Sequence, residues 1–198
     1  MQEPQPKQPE IAPELERTLV GSTIARTLLE QRKVFLWGQV DDDSARDVID
    51  RLLYLDAIAH DKEITLYINS PGGYVTSGMA IYDAIKALRS PVSTVCMGLA
   101  ASMGSILLSA GVKGRRFIFP HGRVMIHQPS GGAAGTSTDI EIQMKEILKI
   151  KEISAHILAE NTGQPVERIM QDFDRDYWMD AHESIEYGIV DAIIERFD

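Results

Sequence analysis

Apolar positions change their period along the chain, and each change marks an element. Val34-Phe35-Leu36-Trp37 is a short unbroken apolar run and predicts a buried strand. Beyond it, Val48, Ile49, Leu52, Leu55 and Ala59 recur at helical spacing. Asp41-Asp42-Asp43-Ser44 stands just ahead of them and supplies N-cap candidates. Ile64-Thr65-Leu66-Tyr67-Ile68-Asn69 has the β-branched and aromatic content of a strand, which stops at Ser70-Pro71-Gly72-Gly73. A helix from about Val75 to Leu88 and a strand from Val92 to about Met97 follow. Strands alternating with helices predict an α/β domain with a largely parallel sheet.

After Ala101 a helix is expected, then strands at 116–119 and 124–127, and a loop at Gly131-Gly132-Ala133-Ala134-Gly135. Thr138-Asp139-Ile140-Glu141 has capping-box spacing, and the helix it opens can run to Asn161, with Gly163 as its stop. Ile140, Ile142, Met144, Ile147, Leu148 and Ile153 make that helix apolar on more than one side, which predicts a partner surface. A second box, Asp180 to Glu183, opens a helix ending at Gly188, before a closing strand over 189–194. At the other end, Leu15 with Leu19 and Ile24 with Leu28 allow one helix over 14–32 or two short pieces. Residues 1–13 hold four prolines and few apolar anchors, so they read as a disordered arm ahead of a single domain over 14–198.

Composition narrows the function classes. A chain of 198 residues, 44% apolar and 25% charged, is the size and make-up of one globular domain. A net charge of -9 opposes a phosphate backbone, so nucleic acid is not expected as a partner. The single cysteine, Cys96, can form neither an internal disulfide nor a thiolate metal cluster. Met1 to Glu10 shows no basic segment followed by an apolar core, and a cytoplasmic location is expected. Ser90 to Val112 carries no charge and is long enough to cross a bilayer. Its Ser, Gly, Ala and Pro content favours a buried strand followed by a buried helix instead, and no membrane partner.

Three kinds of residue could carry chemistry. In Gly98-Leu99-Ala100-Ala101-Ser102-Met103-Gly104, small residues crowd a serine after a buried strand, as in a nucleophile elbow, although Ala100 stands where that motif has its first glycine. A serine there can equally cap the next helix, and on this segment alone that is the commoner role. A nucleophilic serine needs a base. Of the five histidines, His127 closes an apolar strand before a loop of Pro and Gly, where parallel sheets carry their sites. His60, His121, His156 and His182 sit in helices or turns. A carboxylate should orient the imidazole, and Asp172, Asp174 and Asp176 all qualify by type, with no spacing that chooses among them. Gly72-Gly73 at a strand end can aim N–H groups at an oxyanion or serve as an ordinary turn. No Gly-Lys-Ser or Gly-Lys-Thr follows, so a phosphate loop is not supported.

Together these segments resemble the proteolytic subunits of ATP-dependent Clp proteases. The matching stretches are 67–73, 78–83, 96–104, 123–129, 139–142, 162–164, 174–176 and 186–191, in order from about Val34 to the C-terminus. The resemblance implies a serine endopeptidase with Ser102 as nucleophile, His127 as base and Asp176 as orienting acid. The N–H groups of Gly73 and Met103 would form the oxyanion hole. It implies a crotonase-like fold of repeated β-β-α units, with a handle over about 128–162. Heptameric rings would stack as a tetradecamer around a chamber, fed by a hexameric AAA+ ATPase that unfolds substrates. ATP would be used by that partner, and this chain would need no metal or organic cofactor. In the family, residues like Asp174 and Arg175 couple ring contact to triad alignment. The Gly-Glu-Arg and aromatic-Asp features that members carry near the axial pore are reduced here to Glu16-Arg17 and Leu28-Leu29.

Two other functions fit the resemblance more loosely. A non-catalytic ring subunit would commonly lack a triad residue, and all three are present. A crotonase-type acyl-CoA enzyme would need no Ser-His-Asp set, and CoA binding would reveal it.

Overall fold

The longest of the described strands organises the rest. A computed structural model describes residues 13–132 and 134–197. Of the expected N-terminal arm over 1–13, all but Pro13 lies outside the described residues, as does Ala133 of the glycine-rich loop. A single helix, α1 (Pro13–Glu30), replaces the choice between one piece and two. Then come β1 (Lys33–Trp37), α2 (Asp42–Ile58), β2 (Ile64–Ser70), α3 (Val75–Ala87), β3 (Val92–Ala101) and α4 (Met103–Ser109). The second half runs β4 (Arg116–Ile118), β5 (Arg123–Ile126), α5 (Ser137–Thr162), α6 (Val166–Asp172), β6 (Tyr177–Met179), α7 (Ala181–Tyr187) and β7 (Ala192–Ile193).

The described strands form one sheet in the order β1-β2-β3-β4-β7, with β5 pairing β3 and β6 pairing β5. Every pair is parallel except β5 with β6. The chain is therefore mixed α/β with a mostly parallel sheet. Strand β3 serves two neighbours in turn: Thr94 to Cys96 pair with β4, and Leu99 to Ala101 pair with β5. Gly98 marks the change, at φ 96°, and the Asn69 side chain accepts the Leu99 N–H beside it at 3.2 Å.

Strands β1 and β2 fill the core from one face, where the paired Val34, Leu36, Leu66 and Ile68 are buried. On the other face of β1, Phe35 is half-buried and Trp37 is exposed, so the strand is not buried throughout as its apolar run predicted. Helix α2 buries Val48, Leu52 and Leu55 of the expected stripe together with Ala45, while Ile49 is half-buried and Ala59 is the C-cap rather than a helical residue. Asp41 caps it in a box with Ser44. The uncharged stretch 90–112 divides into β3 and α4, with Thr94 Oγ1 donating to the Leu108 carbonyl at 2.6 Å. Among the described residues no helix is long and apolar enough to cross a membrane.

Four further details differ from expectation, the first being that β3 runs past its expected end near Met97 to Ala101. The box that opens α5 is Thr136 with Asp139, not Thr138 with Glu141, because the Thr136 and Asp139 side chains each bond the other's backbone N–H. Helix α6 and strand β6 were not anticipated. The expected closing strand shrinks to Ala192–Ile193 because the Ile189 N–H bonds back to Ser184, continuing the turn after Gly188. Helix α5 buries only its last part, at Ser154, Ala155, Leu158 and Ala159. Its first part, with Ile142, Met144 and Leu148, is exposed, as an unpartnered apolar surface should be.

A buried ion pair ties the end of this helix to the sheet. Arg116, 3% exposed at its side chain, forms a two-toothed pair with Asp191 at 2.6 and 2.9 Å and donates to the Asn161 carbonyl of α5 at 2.7 Å. Burial by itself would raise the Asp191 carboxyl, but hydrogen bonds from Arg116 and Gly114 hold it below the usual range. A lowered folded-state value means this stabilisation is full above the unfolded carboxylate value, near about pH 4, and is lost as pH falls through the folded value. Asp191→Asn leaves the guanidinium buried without its counter-charge, and urea titration at neutral pH is expected to show a loss of about 3 to 5 kcal/mol. The gap between variant and wild type should narrow in acid.

Candidate active site

Strand pairing gathers three side chains that lie far apart in sequence. Because β3 and β5 are paired through Ala101 and Met125, and the Ser102 N–H donates to the Met125 carbonyl at 2.9 Å, the residue after β3 lies beside the end of β5. His127 is the first residue beyond that end. Strand β6 runs antiparallel to β5 with Tyr177 opposite Ile126. One step further in the same register sets Asp176 against His127.

The contacts follow the register. His127 Nε2 lies 2.9 Å from Ser102 Oγ, and Nδ1 lies 3.1 Å from Asp176 Oδ1. An ionised carboxylate can only accept, so Nδ1 carries the proton and the Nε2 lone pair faces the serine hydroxyl. The imidazole side chain is 25% exposed and the Asp176 carboxylate 58% exposed, so in the single chain this site is open to solvent.

Ser102 occupies the N-cap position of α4, yet its side chain makes no capping bond and turns to His127 instead. Its backbone lies at φ 54°, ψ −123°, a conformation that costs a non-glycine residue about 1 to 3 kcal/mol and lifts the hydroxyl out of the strand-to-helix turn. Small neighbours make the turn possible. A Cβ on Gly72 would stand 2.6 Å from Ser102 Cβ and 2.8 Å from the Ala101 carbonyl, at a φ of +90°. One on Gly73 would meet the Val40 carbonyl, because the two residues form a parallel bridge.

Met103 follows the serine directly in sequence, and Gly73 follows the glycine that packs against it. Met103 N lies 3.0 Å from where a Gly72 Cβ would be, so the loop after β2 lies against the first turn of α4. Neither the Gly73 nor the Met103 N–H makes a hydrogen bond to the described residues.

The other candidates go elsewhere. His60, His121, His156 and His182 are exposed, and Ser102 takes none of them as its partner. Asp172 accepts from Arg168 at 2.6 Å and from the Tyr187 hydroxyl at 2.8 Å, a structural role. Asp174 is exposed, with Arg175 at 4.0 Å. Burial pushes the Cys96 thiol up to about 12, so it stays protonated at neutral pH and is no nucleophile.

A cleft of about 650 Å³ opens beside the imidazole, bounded by the loop 127–131, by Met144 and Ile147 of α5, and by 174–176. Ser102 stands outside its lining. Sequence reasoning missed two residues of the frame. Asn69 pins the bend in β3, and Gly72, noticed only as half of a Gly-Gly pair, is the residue packed against the serine turn. The glycine pair was a usable signal, whereas the amide of Asn69 carried none. Residues 16–197 match the family model described as Clp protease.

Proposed function

The chain belongs to the Clp protease family, a family of peptidases, and on that premise we propose that it is a serine endopeptidase acting through Ser102, His127 and Asp176. The observation that carries the reading is the continuous Ser102 Oγ, His127 Nε2, His127 Nδ1, Asp176 Oδ1 chain at 2.9 and 3.1 Å.

The chemistry follows from that chain. Ser102 Oγ attacks the scissile carbonyl while its proton passes to His127 Nε2. Asp176 remains ionised and stabilises the imidazolium that forms. The tetrahedral oxyanion accepts from the Gly73 and Met103 N–H groups, each donor of this kind contributing about 3 kcal/mol to the transition state. Collapse breaks the C–N bond, His127 gives its proton to the leaving amine, and water then releases the acyl group by the same steps.

The rest of the proposal concerns assembly. Family membership implies oligomers and a protein substrate. We assign two heptameric rings stacked as a tetradecamer, a crotonase-like domain over 14–198 and a handle over about 128–162. A hexameric AAA+ ATPase supplies unfolded chains in the cytoplasm, and this chain uses no cofactor of its own. The exposed Ile142, Met144 and Leu148 on α5 support a ring-to-ring contact there. Hydrolysis of short fluorogenic peptides by the purified protein, with the mass of the assembly recorded, tests the function. Cleavage by a tetradecamer is expected, and a ring that leaves every peptide intact would contradict it.

A further inference from the structure

Asp176 reaches His127 from a segment, 172–176, that belongs to no strand until Tyr177. Something must hold that segment, since a carboxylate displaced by about 1 Å can cost a reaction about a hundredfold. Its start is fixed by Asp172, through Tyr187 and Arg168, and by Phe173, which is 1% exposed. Its later part is held from the other side by Gln128, the residue directly after His127.

Gln128 makes three bonds, two to the 172–176 segment and one to α5. Its N–H donates to the Phe173 carbonyl at 2.9 Å. Its side-chain Nε2 donates to the Asp174 carbonyl at 3.2 Å. Its Oε1 accepts from Lys151 Nζ of α5 at 2.8 Å. An amide has one acceptor end and one donor end, and an ammonium group can only donate. Lys151 therefore fixes which way the amide points. With Oε1 taken by the cation, Nε2 is left for the Asp174 carbonyl, two residues before Asp176.

We propose that Gln128 is a positioning residue for hydrolysis, holding the Asp176 segment against His127, and that Lys151 on α5 sets its orientation. This rests on Ser102, His127 and Asp176 acting as proposed above. The base and the residue that positions its acid are then adjacent in sequence, so any movement of β5 carries both. Helix α5 touches the site through this amide as well as through the cleft wall, which gives a partner seated on α5 a direct mechanical route to the His127–Asp176 distance.

The test compares variants of the assembled protein. Gln128→Glu is isosteric and keeps an acceptor for Lys151 but cannot donate to the Asp174 carbonyl. Gln128→Met keeps the bulk and loses both bonds. All variants retain the backbone bond to Phe173, so assembly and thermal midpoint serve as controls on folding. Peptide hydrolysis by both is expected to fall in kcat by roughly ten- to a hundredfold, with KM within about twofold. Lys151→Met should fall less, and the Gln128→Met/Lys151→Met pair should be no worse than Gln128→Met alone, because the two act as one unit. In an Asp176→Ala background, adding Gln128→Met should leave the rate of Ser102 phosphonylation by a fluorophosphonate unchanged. A wild-type kcat in Gln128→Glu, or a further drop on top of Asp176→Ala, would overturn the inference. Failure of the wild type itself to react would instead overturn the triad reading on which it rests.

Discussion

Replacing Ser102 by alanine is expected to lower kcat for peptide hydrolysis by about a millionfold, the loss typical when a triad nucleophile is removed. The fold should not notice. The serine hydroxyl is committed to His127 and caps nothing, so its removal leaves no buried polar group in the strand-to-helix turn unpaired. Alanine meets the same backbone strain at φ 54° as serine does. Calorimetry should give a thermal midpoint within a few degrees of wild type, while peptide hydrolysis falls to the blank. A variant that kept a tenth of the activity would show that the reacting group lies elsewhere.

The second large effect is expected at Asp176. An asparagine there can turn its amide N–H₂ towards Nδ1, which favours the tautomer with the proton on Nε2. That nitrogen then faces Ser102 as a donor and cannot take its proton, and the loss in kcat is expected to be about ten thousandfold. Asp172→Asn is the informative contrast, because Asp172 is bonded to Arg168 and Tyr187 rather than to the imidazole. It should destabilise the fold by about 2 kcal/mol in urea titration, through a weakened charge-assisted pair, while kcat falls far less. Equal losses of kcat at the two positions would contradict the choice of Asp176 as the orienting acid.

That choice shows where the sequence stopped being informative. The elements that build the sheet core, β1 to β3, were legible from their dense apolar, β-branched and aromatic content, although β1 turned out to alternate, with Trp37 exposed. So were the helices marked by caps, such as Asp41 before α2 and Gly163 after α5. Strand β6 was not. Three residues, Tyr177 to Met179, are too few for a period, and their antiparallel pairing to β5 is a tertiary fact. Yet that pairing is what sets Asp176 rather than Asp172 or Asp174 opposite His127. The serine had two readings for a similar reason: a cap and a nucleophile share residue type and position. They differ only in where the hydroxyl points, which the sequence does not record. The capping box of α5 was misplaced by two residues, because Thr136 and Thr138 are followed three positions on by Asp139 and Glu141 alike. The N-terminal half of α5 was legible in a different sense, as apolar residues in excess of one stripe, and these are the residues that stand exposed.

The central claim is that Ser102 is a nucleophile because His127 makes it one. Its most direct test is covalent labelling with a fluorophosphonate, read by intact mass and peptide mapping, on the wild type and on His127→Ala. One adduct per chain on Ser102 is predicted for the wild type, with the rate of labelling collapsing in His127→Ala. An unlabelled wild type, or a serine that reacts as fast without the histidine, would contradict it.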